Sequence, residues 1–190
     1  GAVHPVTHRC WWMLRQAGAR DVRLLDCTYD DWVNDGRPVT KEPVVVDPQI
    51  FDGFAKTDWI ATKAMVLAAI EDPSIGLVNA LTEEQFEGRG QFYGRPGRIP
   101  SSISVPAANL TDPISGALRN PDELQEAFDR AGANKFERLI TYCGGGIAAS
   151  SAFLALHIIG WENIALYDGS LMEWNDDVAT PIEMGPISLP

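Results

Sequence analysis

Cys143 stands where covalent chemistry is easiest to run. Leu139-Ile-Thr-Tyr142 leads into it as an apolar strand, glycines follow at 144, 145 and 146, and Ile147-Ala-Ala-Ser150 opens a helix. The thiolate is the nucleophilic form of cysteine, and a helix N-terminus with converging N–H groups favours that charged form. Consecutive glycines let the backbone take positive φ angles, turn amides inward as in anion-binding nests, and leave no side chain in front of the sulfur. The plain alternative is an inert core cysteine ahead of a tight turn. Two other readings of a glycine-rich loop fail on residues. Neither G-x-G-x-x-G nor G-x-x-x-x-G-K-[ST] is present. A C-x5-R phosphatase needs a guanidinium six residues after its nucleophile, and that residue is Ala149.

The elements that must hold this loop follow from periodicity. Val6, Cys10, Trp11, Met13 and Leu14 fall near helical spacing and Gly18 follows as a stop; Val22-Arg-Leu-Leu25 reads as a strand, and Cys27 to Trp32 as a short turn or helix. Pro38, Pro43 and Pro48 punctuate a stretch with little periodicity apart from Val44-Val-Val46, and residues 41–53 read as a linker. Ile60 to Ile70 reads as a helix closed by Asp72-Pro73, Ile75 to Asn79 as a buried strand, and Thr82 to Phe86 as a brief capped helix. Gly88 to Pro106 is a surface loop with a strand-like Ile103-Ser-Val105. Asn120-Pro-Asp-Glu123 starts a helix whose inner face is Leu124, Ala127, Phe128 and Ala131, ended by Gly132. Leu139 to Tyr142 and Ile164 to Tyr167 are strands around a helix from Ala148 to Ile159 that stops at Gly160. Short strands alternating with helices imply an α/β fold with a mainly parallel sheet.

The chain also repeats itself. A gap-free slide lays Val22-Arg-Leu-Leu-Asp26 and Trp32 over Ile164-Ala-Leu-Tyr-Asp168 and Trp174, and the same slide matches Trp11 to Phe153, Leu14 to Leu156 and Gly18 to Gly160. It sets Gly1 opposite Cys143. About 40 residues cannot make a doubly covered parallel sheet alone. Either a segment outside this chain supplies the missing half of the first unit, or residues 1–40 pack as an appendage.

Composition limits the partners. With 26 acidic against 15 basic residues in 190, the net charge of -11 argues against nucleic acid or an anionic membrane and for a small ligand. The longest apolar stretch, Ile147 to Trp161, is shorter than the roughly 18 residues a bilayer span needs. The three cysteines are too far apart for a zinc site and odd in number, and Gly1-Ala-Val-His-Pro5 lacks the regions of a secretory signal, so a reducing cytoplasm is expected.

With these residues in view, the chain resembles a tandem-domain rhodanese of the thiosulfate and 3-mercaptopyruvate sulfurtransferase family, truncated at its N-terminus. The resemblance rests on Cys143-Gly-Gly-Gly-Ile-Ala-Ala149, Tyr167-Asp-Gly-Ser-Leu-Met-Glu-Trp174, Arg95-Pro-Gly-Arg-Ile-Pro100 with Val105-Pro106, and Trp11-Trp-Met-Leu14 with Asp35-Gly-Arg-Pro-Val39. It implies a rhodanese-like parallel sheet covered by helices on both faces. Residues 1–40 would be the C-terminal part of a non-catalytic module, 41–53 a linker and 54–190 the catalytic domain. It further implies two-step sulfur transfer from a small anionic donor to cyanide or a thiol, without metal or organic cofactor. A Cys143 persulfide would be held by the amides of Gly144, Gly145, Gly146, Ile147 and Ala148. The family's Asp-x-Arg after the second strand is Asn79-Ala-Leu81 here, and its Gly-His-Ile-Pro-Gly is Gly97-Arg-Ile-Pro-Ser101. Thiosulfate-type loops often carry basic residues after the cysteine and mercaptopyruvate-type loops a serine two residues on; Gly144 and Gly145 match neither. Thiosulfate is the preferred donor because that serine is absent, and the alternatives are mercaptopyruvate or an idle module that binds partners or relays sulfur.

An anionic donor needs positive charge, and Arg95 and Arg98 are the expected source, ahead of Arg89. Cys10 reads as a buried packing residue and Cys27 as a turn residue. His157 reads as a packed or half-exposed histidine, and His4 and His8 show no partner spacing. Glu83-Glu84 and Asp176-Asp177 read as solvated faces, and Trp11 and Trp12 as core or domain-interface aromatics.

Overall fold

The computed structural model describes residues 5–25, 27–90, 92–113 and 115–186. Gly1, His4 and Asp26, used above, lie outside the described residues. The chain order is α1 (Pro5–Gln16), α2 (Tyr29–Asn34), β1 (Ile60–Ala61), α3 (Lys63–Ala69), β2 (Ile75–Asn79), α4 (Glu83–Phe86), β3 (Ser102–Ser104), α5 (Pro121–Arg130), β4 (Arg138–Tyr142), α6 (Ile147–Ile158), β5 (Ile164–Tyr167) and α7 (Ser170–Asp176). Five parallel strands in the order β1-β5-β4-β2-β3 form one sheet flanked by helices.

Parallel strands with helix-covered faces must be apolar on both sides. β4 meets that demand, with Leu139, Ile140, Thr141 and Tyr142 all buried, and so does β5. β4 lies between β2, where Ile75 pairs with Arg138 and Asn79 with Tyr142, and β5, where Leu139 pairs with Ile164. α6 is buried almost all round, from Ala149 to Leu156, as expected of a helix wedged between layers. α1 covers its outer side. Trp11 and Trp12 are buried there, Trp12 edge-on to Phe153, and Trp59 lies 4.7 Å from Phe153 between ring centroids.

Several sequence expectations change. The helix expected over Ile60–Ile70 begins only at Lys63. Ile60 and Ala61 instead pair with Leu166 and Tyr167, and Thr62 accepts a hydrogen bond from Met65 N as the helix cap. The strand expected at Ile103–Val105 is set one residue earlier, at Ser102–Ser104. Val22–Leu25 forms no strand: Val22 and Leu24 pack against the core, but no described strand pairs with the segment. A strand's ladder needs a neighbour, whatever its pattern. Val44, Val45 and Val46 are exposed in a stretch without helix or strand. Ser101, where the family motif ends in glycine, takes the left-handed φ of +63°. Asn79 is buried, and its Oδ1 accepts from Leu81 N at 2.8 Å.

Candidate active site

β4 carries Cys143 to the carboxyl edge of the sheet, where α6 begins. The residue is 2% exposed. Its N–H donates to Ser170 Oγ at 3.1 Å, its carbonyl accepts from Leu171 N at 3.1 Å, and Gly144 O accepts from Met172 N at 3.0 Å. The start of α7 therefore holds the β4–α6 loop from below. Ser170 has φ +49°, a strained position for a residue with a Cβ, costing on the order of 1–2 kcal/mol. Two buried bonds offset it: its hydroxyl donates to Tyr167 O at 2.8 Å while accepting the Cys143 amide.

Gly146 ends the loop in the left-handed conformation (φ +81°), and no side chain caps α6. The first amide to find a helical partner is Ser150 N, bonded to Gly146 O. Among the described residues, no protein acceptor meets the N–H groups of residues 144–149. Unpaired amides at the start of a twelve-residue helix are a ready anion site beside the sulfur.

The three glycines serve different needs. Of the three, only Gly146 takes a positive φ, so the expectation that the run as a whole would do so is corrected. A Cβ on Gly144 would stand 2.1 Å from Cζ of Tyr93, so this glycine makes room for an aromatic ring. One on Gly146 would stand 2.6 Å from Asp168 Oδ1 and 3.1 Å from Arg9 Nη1, whereas one on Gly145 would meet Met172 Sδ at 3.2 Å.

Arg9 reaches this loop from α1. Its Nη2 pairs with Asp168 Oδ1 at 2.6 Å, its guanidinium carbon lies 4.9 Å from the Trp12 ring centroid, and its Nη1 is buried with no protein acceptor among the described residues. Arg95 and Arg98, expected to bind the donor, are spent on the protein itself. Arg95 donates to Thr180 O at 2.7 Å, Thr180 Oγ1 at 2.6 Å and Asp177 O at 3.2 Å, tying its loop to the turn after α7. Arg98 is 1% exposed, stacks 4.4 Å from the Phe86 ring centroid, donates to Gly185 O at 2.6 Å and pairs with Glu183. Its charge is buried in a structural pair. Arg89 is exposed and pairs with Glu87.

A family model described as the rhodanese-like domain matches residues 62–177. The chain belongs to the rhodanese family. Among its relatives, the thiosulfate sulfurtransferase of Bos taurus is 32% identical over 171 residues, 87% of this chain and 57% of that one. The 3-mercaptopyruvate sulfurtransferase of Mus musculus is 28% identical over 170 residues, with the same 87% and 57% covered. The chain thus spans little more than half the length of the curated relatives it matches. The anaerobic ergothioneine biosynthesis enzyme of Chlorobium limicola, solved with trimethyl histidine, shares the fold at a TM-score of 0.85 and 23% identity, over 97% of this chain and 46% of that one.

In this rhodanese, sequence reasoning missed Arg9, Tyr93, Asp168 and Ser170. Arg9 lies outside the matched segment, and Tyr93 makes its contact across 51 residues, so neither carries a local signal. Asp168 and Ser170 sit inside a quoted motif, and their polarity next to a buried strand was the available clue. Cys10, expected to be buried, is exposed, and Cys27 is half-buried. His8, for which spacing showed no partner, is buried with Nδ1 2.8 Å from Ser151 Oγ. His157 is half-buried beside Trp11 and Trp59, and burial followed by the charges of Arg15 and Lys56 lowers its pKa. Glu83, Glu84 and Asp176 are exposed, while Asp177 pairs with Lys63 at 3.2 Å. Among the described residues, no three His, Cys, Asp or Glu side chains group as a metal site, and no helix is long and apolar enough to cross a membrane.

Proposed function

We propose that this chain carries the sulfur-transfer site of a rhodanese, with Cys143 as nucleophile and thiosulfate, or the related donor 3-mercaptopyruvate, as substrate. The observation that carries the reading is the pairing of one buried thiol with the unpaired amides of residues 144–149 at the start of α6. The Cys143 thiolate attacks the outer sulfur of thiosulfate; the S–S bond of the donor breaks and sulfite leaves with the electron pair. The persulfide then has its terminal negative charge beside the amides of Gly144, Gly145, Gly146, Ile147 and Ala148. Cyanide or a thiolate attacks that terminal sulfur, and Cys143 departs as thiolate, ready for another cycle. No proton or electron is gained or lost by the protein over the cycle with cyanide.

Names of relatives support both donors: thiosulfate sulfurtransferases at 32% and 31% identity, and 3-mercaptopyruvate sulfurtransferases at 28% and 27%. The former are the more similar, in keeping with the missing loop serine. Within this reading, residues 1–40 are the end of a preceding non-catalytic module, whose α1 supplies Arg9. Incubation with thiosulfate followed by intact-mass measurement should show one added sulfur atom, absent in Cys143→Ser and removed by cyanide. No adduct with thiosulfate, mercaptopyruvate or another sulfane donor would leave an idle, partner-binding module as the better account.

A further inference from the structure

The thiol that must meet a donor is covered. Cys143 is 2% exposed. A thiol so covered is reached by a donor of several heavy atoms only if something around it moves. Tyr93 lies against the residue that follows the cysteine. Three of its ring carbons lie 2.1, 2.3 and 2.5 Å from where a Cβ on Gly144 would be, so the ring rests on the bare backbone of the residue after Cys143.

The backbone beneath this ring is pinned. Asn175 Nδ2 donates to Tyr93 O at 2.6 Å and to Arg95 O at 3.2 Å, and Arg95 is itself bonded to Asp177 and Thr180. The part free to move is therefore the side chain of Tyr93, by a change of rotamer.

We propose that Tyr93 is a specificity-determining residue of this site: its ring must swing off Gly144 before a donor reaches Cys143, and it limits the size of donor admitted. Gly144 is the other half of the device, because any larger residue there would hold the ring away. The consequence for donors rests on the sulfur-transfer reading; the control of access to the thiol does not.

Access can be read without any sulfur chemistry. Cys143 of the full chain is alkylated with small iodoacetamide and with a bulky maleimide, and modification is followed at the Cys143 peptide by mass spectrometry, which separates it from Cys10 and Cys27. Tyr93→Ala and Gly144→Ala should each raise the maleimide rate relative to the iodoacetamide rate by about tenfold, while Tyr93→Phe leaves the ratio unchanged. The double variant should add nothing to Tyr93→Ala alone. Tyr93→Leu serves if the alanine variant does not fold. An unchanged ratio in both the Tyr93 and Gly144 variants, or an equal rise for both reagents, overturns the proposal. Failure of thiosulfate to load a sulfur with these size effects intact would instead overturn the proposed function alone.

Discussion

Val22–Leu25 and Ile164–Tyr167 occupy the same place in the internal repeat, each between a helix closed by a left-handed glycine and a second short helix. Gly18 and Gly160 have φ of +103° and +89°. The outcomes differ. Ile164–Tyr167 is β5, buried throughout and paired on both sides, by β1 at one edge and β4 at the other. Val22–Leu25 has no ladder partner among the described residues, and only Val22 and Leu24 are half-buried, while Arg23 and Leu25 are exposed. The local pattern is alike in both, but only one finds the neighbours that a strand needs. The next repeat position makes the same point with hydroxyls. Thr28 accepts from Asp31 N and caps α2 at the surface, whereas Ser170 is buried and holds the amide of Cys143. One side-chain class holds a helix end in one unit and the backbone amide of Cys143 in the other.

The largest expected difference between the two units is in their strand positions. Leu166, fully buried in β5, should lose about 2–5 kcal/mol on change to alanine, enough to threaten folding of a domain of ordinary stability. Leu24→Ala, at the matching half-buried position, should cost about 1 kcal/mol or less. Urea unfolding of the two variants measures both. Equal midpoint shifts would mean that Val22–Leu25 is as much a part of the core as β5.

The hydroxyl pair should differ next. Ser170→Ala removes the acceptor of a buried N–H and should cost about 1–3 kcal/mol. It should also change the rate of Cys143 modification, because the loop loses the bond that holds the Cys143 amide. Thr28→Ala, at an exposed cap, should cost about 0.5–1 kcal/mol and leave Cys143 reactivity as it was. Thermal melts paired with thiol-labelling rates separate the two effects; slower labelling in the Thr28 variant would contradict the division of roles.

Arg9 and Asp168 join the two units, so they test whether the N-terminal helix matters to the loop at all. Asp168 is half exposed, and a double-mutant cycle with Arg9→Gln and Asp168→Asn should give a coupling of only about 1 kcal/mol. A coupling near zero would leave the Trp12 stack as what Arg9 contributes.

What could be read in advance divides along the same line as these contacts. β2, β4, β5, α5 and the loop after Cys143 were legible because an apolar run, a cap and a glycine stop all lie close together in the chain. Ile60–Ala61 was misread as helix, because its strand character comes from pairing with Leu166 and Tyr167 more than a hundred residues away. Arg95 and Arg98 were expected to supply the positive charge for an anionic donor. What spends them is the turn around Thr180 and the segment Glu183 to Gly185, which no local spacing connects to them. The glycine run was read as three flexible residues, but flexibility explains only Gly146; Gly144 answers to Tyr93.

The smallest expected effect concerns the facing pair at the ends of the two repeated helices, Arg15 of α1 and His157 of α6. Burial among Trp11 and Trp59, then the positive charges of Arg15 and Lys56, hold the His157 pKa below the ordinary 6.5. As the pH falls through 6.5, the unfolded chain therefore takes up a proton before the folded one does. This histidine's contribution to stability is whole above that pH and declines from there down to the lower folded-state value. The difference in unfolding free energy between wild type and His157→Gln should accordingly be flat above pH 7 and shrink or reverse on acidification below 6.5. Arg15→Gln should shift the acid end of that decline upward, since it removes one of the charges that oppose protonation. A wild-type profile parallel to that of His157→Gln across this range would show that the imidazole is as free to charge in the folded protein as in water, and that the contact between the two helices places no demand on it.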